Sequence, residues 1–220
     1  MSVTPTTVQD LVRHGKLWID KSHNVRLHYV TAGSGNKVAV LVHGAPQTWY
    51  AWRHTIQPLV DAGYRLIMPD YRGAGGSSKP VSGYDKWTMA QDIHTLVHDH
   101  LEVREPITLV GHDIGMMVTQ AYALRYRDEV ASYIGMEAPV PGTSQYEEQK
   151  GSKELWHFNF HAARDVPEIL TEGKERFYIK RFFDDRVQVL LATSARCIDG
   201  EVGGILKALE DDEDRQPAGA

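Results

Sequence analysis

Five residues constrain this chain more than any others: Gly111-His112-Asp113-Ile114-Gly115. They follow the apolar run Ile107-Thr108-Leu109-Val110 and precede a helix-like stretch from Met116 to Tyr126. A strand, a sharp Gly-x-X-x-Gly turn and a helix make a nucleophile elbow, a strained turn that lifts its central side chain above a sheet. Most such elbows carry Ser; this one carries Asp113. A Ser nucleophile needs a base to take its proton. An Asp carboxyl, with an ordinary pKa of about 4, is already ionised at neutral pH. It can attack carbon directly and form an ester, which suits opening an epoxide or displacing a halide better than cleaving an amide.

The pattern around the elbow predicts an α/β protein. Lys16 to Ile19 and Val25 to Thr31 read as paired edge strands joined by the turn Lys21 to Asn24. Val38 to Val42 is a continuous apolar run, typical of a strand buried on both faces. Thr48 to Ala62 reads as a helix, Tyr64 to Met68 as a strand ended by Pro69-Asp70, and Arg72 to Gly83 as a loop. Thr88 to Leu101 reads as a helix with Thr88 as N-cap, and Val130 to Met136 as a further strand. Strands alternating with helices imply a mostly parallel sheet with helices on both faces. Ligands of such sheets bind beyond the carboxyl ends of the strands. His43, Asp70, Asp113 and Glu137 all fall at or just after a strand end, on that rim. After Pro141 the rhythm changes: Gly151 to Phe183 is helical and aromatic in pattern, as expected of an inserted lid, and Val187 to Leu191 reads as a strand or a helix end.

Composition excludes some functions. The formal net charge of −5 comes from Glu210-Asp211-Asp212-Glu213-Asp214, which leaves 24 acidic residues against 24 basic ones in the body of the chain. That balance argues against a nucleic-acid partner, which would favour a basic face. The single cysteine, Cys197, allows no internal disulfide. Met1 to Asp10 is polar and no apolar run is long enough to span a bilayer, so a cytoplasmic protein without a membrane partner is expected. His94, His98 and His100 lack a flanking Glu general base and a third ligand, and Gly73 to Ser78 has no Gly-Lys-Ser/Thr after it. No metal or cofactor is expected.

With these residues in view, the chain resembles an α/β-hydrolase-fold epoxide hydrolase. The resemblance is carried by His43-Gly44-Ala45-Pro46, Trp49-Tyr50-Ala51-Trp52-Arg53, Asp70-Tyr71-Arg72-Gly73-Ala74-Gly75, the Asp113 elbow and Met136-Glu137-Ala138-Pro139. Trp156-His157-Phe158 and Gly173-Lys174-Glu175-Arg176-Phe177 narrow it to the Cif-type branch. It covers roughly residues 16 to 185. It implies an α/β-hydrolase core over 1–140, a helical lid over 141–190, and a tail over 191–220 that lies outside the family pattern and is expected to be disordered. It implies Asp113 as nucleophile, with the Ala45 and Ile114 amides as oxyanion hole. Glu137 is implied as the acid that orients a catalytic His, and His157 as the lid donor to the leaving oxygen. Tyr178 is a candidate second donor, away from the family position. His112 is implied to pack under the elbow rather than act as a base. The implied substrate is a small apolar epoxide; the oligomeric state stays open.

The chain departs from the family pattern after the lid. Relatives continue with two strand–helix units and carry the catalytic His in a loop after the last strand; here no histidine follows His161. The expectation is a truncated relative that alkylates Asp113 once and stalls. Two other readings stand beside it. A haloalkane or haloacetate dehalogenase is disfavoured by Ile114, which stands where those relatives carry Trp or Arg. A catalytically dead remnant with a binding role is the other.

Overall fold

The structure, a computed structural model, describes residues 7–153, 155–181 and 183–184. The expectations for Val187 to Leu191, for Cys197 and for the tail over 191–220 lie outside the described residues. The chain divides into two compact units, Met1–Lys153 and Glu154–Ala220.

The first unit runs α1 (Val8–Leu11), β1 (Val12–Asp20), β2 (Val25–Ala32), β3 (Lys37–Val42), a 3-10 turn (Trp49–Trp52), α2 (Ile56–Asp61) and β4 (Tyr64–Asp70). It continues with α3 (Lys86–His94), a π-helical extension (Thr95–His100), β5 (Ile107–His112), α4 (Ile114–Arg125), a 3-10 turn (Arg127–Glu129), β6 (Val130–Met136) and α5 (Ser144–Gln149). The six strands form one sheet in the order β1-β2-β4-β3-β5-β6. β3 pairs in parallel with β4 and β5, and β5 in parallel with β6; β2 is antiparallel to both β1 and β4. Only β2 therefore runs against the others, and the mostly parallel sheet expected from the sequence is present.

Side chains alternate across β3 and so divide the core. Val38, Val40 and Val42 pack with Leu27 and Ile67 against Met89, Ile93, Leu96, Val97, Val118 and Tyr122 from α3, its extension and α4. Ala39 and Leu41 face the other way, packing with Leu66, Met68, Trp49 and Ile56. A strand that buries both faces has no room for polar positions, which is why β3 reads as an unbroken apolar run.

Three local expectations are corrected. Thr48 to Ala62 is not one helix but the 3-10 turn Trp49–Trp52 followed by α2. Pro58 explains the break: it has no amide hydrogen and fits only the first turn of a helix, so α2 begins two residues before it. β4 does not end before Pro69 but runs to Asp70. Parallel pairing with β3 stops at Val40–Ile67, so Pro69 faces a strand neighbour on one side alone, where it pairs with Tyr29 of β2. The N-cap of α3 is Asp85, not Thr88. Its Oδ1 accepts from the Thr88 amide at 2.9 Å and its Oδ2 from the Thr88 hydroxyl at 2.6 Å, because a carboxylate three residues ahead is the stronger acceptor for an orphan amide.

In the second unit, α6 (Trp156–Ala162) and α7 (Val166–Thr171) are followed by a helical stretch over 175–181. The rings of Trp156, Phe160 and Tyr178 pack together, and the Tyr178 hydroxyl lies 2.9 Å from His161 Nε2. Among the described residues no helix is long and apolar enough to cross a membrane.

Candidate active site

The elbow stands where the sequence places it, between the end of β5 and the start of α4. Asp113 takes φ 52° and ψ −123°, a conformation that costs an L-residue on the order of 1–3 kcal/mol and must be held by its surroundings. Several contacts hold it. The Asp113 amide donates to the Met136 carbonyl at 2.9 Å, and the Asp113 carbonyl accepts from the Met116 amide at 2.9 Å. The flanking glycines are required by packing. A Cβ on Gly115 would strike the Val42 and His43 carbonyls, and one on Gly111 would strike Thr119, the Gly115 carbonyl and Met116. β3 and α4 therefore approach the turn so closely that only glycine fits on either side of it.

The two oxygens of Asp113 are in different positions. Oδ2 accepts from the Ala45 amide at 2.9 Å. No hydrogen bond from the first unit's described residues reaches Oδ1. Ala45 sits in the loop after β3, and Gln47, which the sequence reading passed over, shapes that loop. The Gln47 amide donates to the Gly44 carbonyl at 3.1 Å. Its side-chain Oε1 accepts from the Gly44 amide at 3.3 Å and from His112 Nδ1 at 3.2 Å. His112 is thus tied to the loop after β3. The signal for Gln47 is its place three residues after Gly44, inside a Gly-Ala-Pro-Gln turn.

Ile114 is the first residue of α4, so its amide lies among the unpaired amides of a helix start beside the Asp113 carboxylate. Glu137 follows β6 directly and also takes a positive φ, 59°. Since His112 pairs with Met136, Asp113 and Glu137 leave adjacent strands side by side. The structure brings Asp113, Ala45, Ile114 and Glu137 together on one rim of the sheet. His157 belongs to the second unit, near the start of α6, where its ring lies edge-on to Trp156 and Phe158.

Behind the rim is a buried polar layer. Asp70 is 1 % exposed. Its Oδ1 accepts from the Trp49 amide at 2.7 Å, and its Oδ2 from the Gly76 amide at 3.0 Å and His28 Nδ1 at 2.7 Å. Burial pushes its pKa up, but the bonds from His28, Gly76 and Trp49 and the nearby His43 outweigh that and hold it below the ordinary value. His43, fully buried, stacks on Tyr71 with centroids 4.3 Å apart. Burial lowers the His43 pKa against the pull of the Gly44 carbonyl and Asp70. Burial, and then the charges of Asp113 and Asp70, raise that of Tyr71. Lys86 is lowered by burial, with the charges of Asp85 and Asp113 opposing; nothing in its sequence context points to this placement. Among the described residues no group of three or more His, Cys, Asp or Glu is arranged to hold a metal.

A mostly parallel sheet with helices on both faces, and an elbow beyond one of its central strands, define an α/β hydrolase. Residues 38–180 match the family described as alpha/beta hydrolase fold, and the chain belongs to that family. Its relatives include a soluble epoxide hydrolase from Corynebacterium sp. (strain C12), 48% identical over 53% of this chain and 39% of the relative. Epoxide hydrolase 3 from Xenopus tropicalis is 32% identical over 79% of this chain and 48% of the relative. A solved structure of the epoxide hydrolase CorEH without ligand superposes with a TM-score of 0.68 at 35% identity, covering 78% of this chain and 59% of that one. The chain spans less than half the length of the curated relatives it matches.

Proposed function

We propose that this chain carries the ester-forming half of an epoxide hydrolase. One observation carries the reading: the elbow side chain is a carboxylate with Oδ2 held by the Ala45 amide at 2.9 Å and Oδ1 open within the first unit. An epoxide carbon is attacked by Asp113 Oδ1. The new C–O bond makes an alkyl ester, the ring C–O bond breaks, and the ring oxygen leaves as an alkoxide that must gain a proton. Oδ2 becomes the ester carbonyl oxygen and already sits on the donor that would hold its negative charge during hydrolysis. The Ala45 and Ile114 amides form the oxyanion hole in this proposal, a device whose single donors are worth on the order of a hundredfold or more in rate.

The remaining roles are proposed from the family resemblance. His157 gives the proton to the leaving oxygen, Glu137 orients a catalytic His, and residues 141–190 act as a lid. The sequence holds no histidine after His161, so we propose that these 220 residues form the ester and release it slowly. A general base is worth about 10²–10⁴-fold. A small apolar epoxide as substrate and a cytoplasmic location complete the proposal.

Intact mass after incubation with a small aryl epoxide tests it. An adduct of protein plus epoxide, mapped to Asp113 and stable without diol release, supports the whole reading. Repeated release of diol overturns slow release but keeps the reaction class. Neither adduct nor diol overturns the proposal in favour of a non-catalytic chain.

A further inference from the structure

Three residues outside the elbow form a continuous hydrogen-bonded line across one face of β1, β2 and β4. His28 on β2 lies directly opposite Asp70 on β4. Opposite partners share a sheet face. His14, on β1, pairs with Val30, two residues along the same face from His28. His14 Nδ1 is 2.9 Å from His28 Nε2, and His28 Nδ1 is 2.7 Å from Asp70 Oδ2. His14 is exposed, His28 is 7 % exposed and Asp70 is 1 % exposed. The line therefore runs from the surface to a buried carboxylate. Its inner end meets the active-site loop: Asp70 Oδ1 accepts from the Trp49 amide, and His43 Nε2 stands 3.6 Å away, buried and without a hydrogen-bond partner among the described residues.

We propose that His14, His28 and Asp70 form a proton relay between solvent and the carboxylate that anchors the loop carrying Ala45. Proton counting fixes how it works. Ionised Asp70 can only accept, so His28 Nδ1 carries a hydrogen and donates it. With both rings neutral, His14 Nδ1–H then donates to His28 Nε2. A proton from solvent enters at His14 Nε2, and the Nδ1 hydrogen of His14 passes to His28 Nε2. His14 is left neutral and His28 becomes an imidazolium paired with Asp70. A second proton would place N–H groups on both facing nitrogens only 2.9 Å apart, where neither has an acceptor in the other.

The His14 ring also meets the Trp49 ring edge-on, with centroids 5.2 Å apart, so the reporter of Asp70 is not the Trp49 amide but the Gly76 amide, which donates to its Oδ2 at 3.0 Å. The remaining groups facing the relay offer no competing route. Lys16 pairs with His28 across β1 and can only donate. The Ser77 hydroxyl oxygen accepts from the His28 amide and its hydrogen is committed to the Asp70 carbonyl. Tyr71 stacks on His43, whose Nδ1 donates to the Gly44 carbonyl at 2.7 Å. His112 and Asp113 act on His43 by charge alone. The Trp49 amide closes the loop that holds Ala45, so the carboxylate at the inner end of the relay is bonded to that loop at this one end.

The test is a pH titration of the full chain by NMR, with nitrogen-labelled histidine rings and backbone amides. It does not depend on ester chemistry at Asp113. The expected result is a hydrogen on Nδ1 of both rings at high pH, a hydrogen on His28 Nε2 and none on His14 Nδ1 once a proton has entered, and a Gly76 amide that shifts with that step. In His14→Gln, an exposed substitution, the hydrogen on His28 Nε2 no longer arrives at the wild-type pH and the Gly76 amide no longer moves there. Hydrogens on both facing nitrogens at once, a Gly76 amide that stays flat, or a wild-type Gly76 response in His14→Gln would each overturn the relay.

Discussion

Asp113 and Glu137 leave the adjacent parallel strands β5 and β6 at matching register positions, and both take left-handed backbone angles, φ 52° and 59°. Two strained residues side by side are held there by what surrounds them, because an L-residue at positive φ costs on the order of 1–3 kcal/mol. Substitution at Glu137 separates backbone from side chain. Glu137→Gly relieves the strain and Glu137→Ala keeps it, while both remove the carboxylate. We expect Glu137→Gly to be about 1 kcal/mol more stable than Glu137→Ala in urea unfolding. Equal stability, or the reverse order, would show that the positive φ carries no strain.

Gly115→Ala tests the packing of the elbow. The added methyl meets the backbone carbonyls of Val42 and His43, which cannot rotate aside as a side chain would. We expect a loss of about 1–3 kcal/mol, the usual cost of overpacking, together with loss of adduct formation on Asp113. A variant that unfolds at the wild-type denaturant concentration would contradict the close approach of β3.

The cap of α3 gives a comparison of neighbours. Asp85→Ala removes the acceptor for the Thr88 amide and should cost about 1 kcal/mol. Thr88→Val removes only the hydroxyl bond to Asp85 and keeps the amide bond, so it should cost less. Thermal unfolding of the two variants decides; a larger loss in Thr88→Val would return the cap to Thr88.

Acid stability should depend on Asp70. Its folded pKa lies below the ordinary value because its hydrogen bonds and His43 outweigh burial. Below the unfolded pKa of about 4 the unfolded chain binds more protons than the folded one, so stability rises with pH there. The Asp70 contribution is fully present above that pH and is lost as pH falls through the folded pKa. Asp70→Asn should flatten the acid limb of a stability-against-pH curve. An unchanged slope would mean that another carboxylate sets it.

What the sequence made legible was local. Ile107 to Val110, two glycines and an apolar helix specify the elbow within a short stretch, so strand, turn and helix were readable before any tertiary contact. The interrupted helix around Pro58 and the Asp85 cap were also encoded locally, but each turned on one residue competing with a favourable apolar pattern. Gln47, Lys86 and the His14–His28–Asp70 line were not readable in that way. His14 and Asp70 lie far apart in sequence, and only the register of β1 on β2 and of β2 on β4 brings them onto one face.

The bond from the Asp113 amide to the Met136 carbonyl extends the pairing of β5 and β6 into the proposed nucleophile. Its amide hydrogen meets solvent only when the bond to β6 breaks. Exchange of that hydrogen for deuterium should therefore be as slow as exchange in the middle of β5. The Asp113 amide becomes a clock for the release of β6, at the edge of the sheet, from β5.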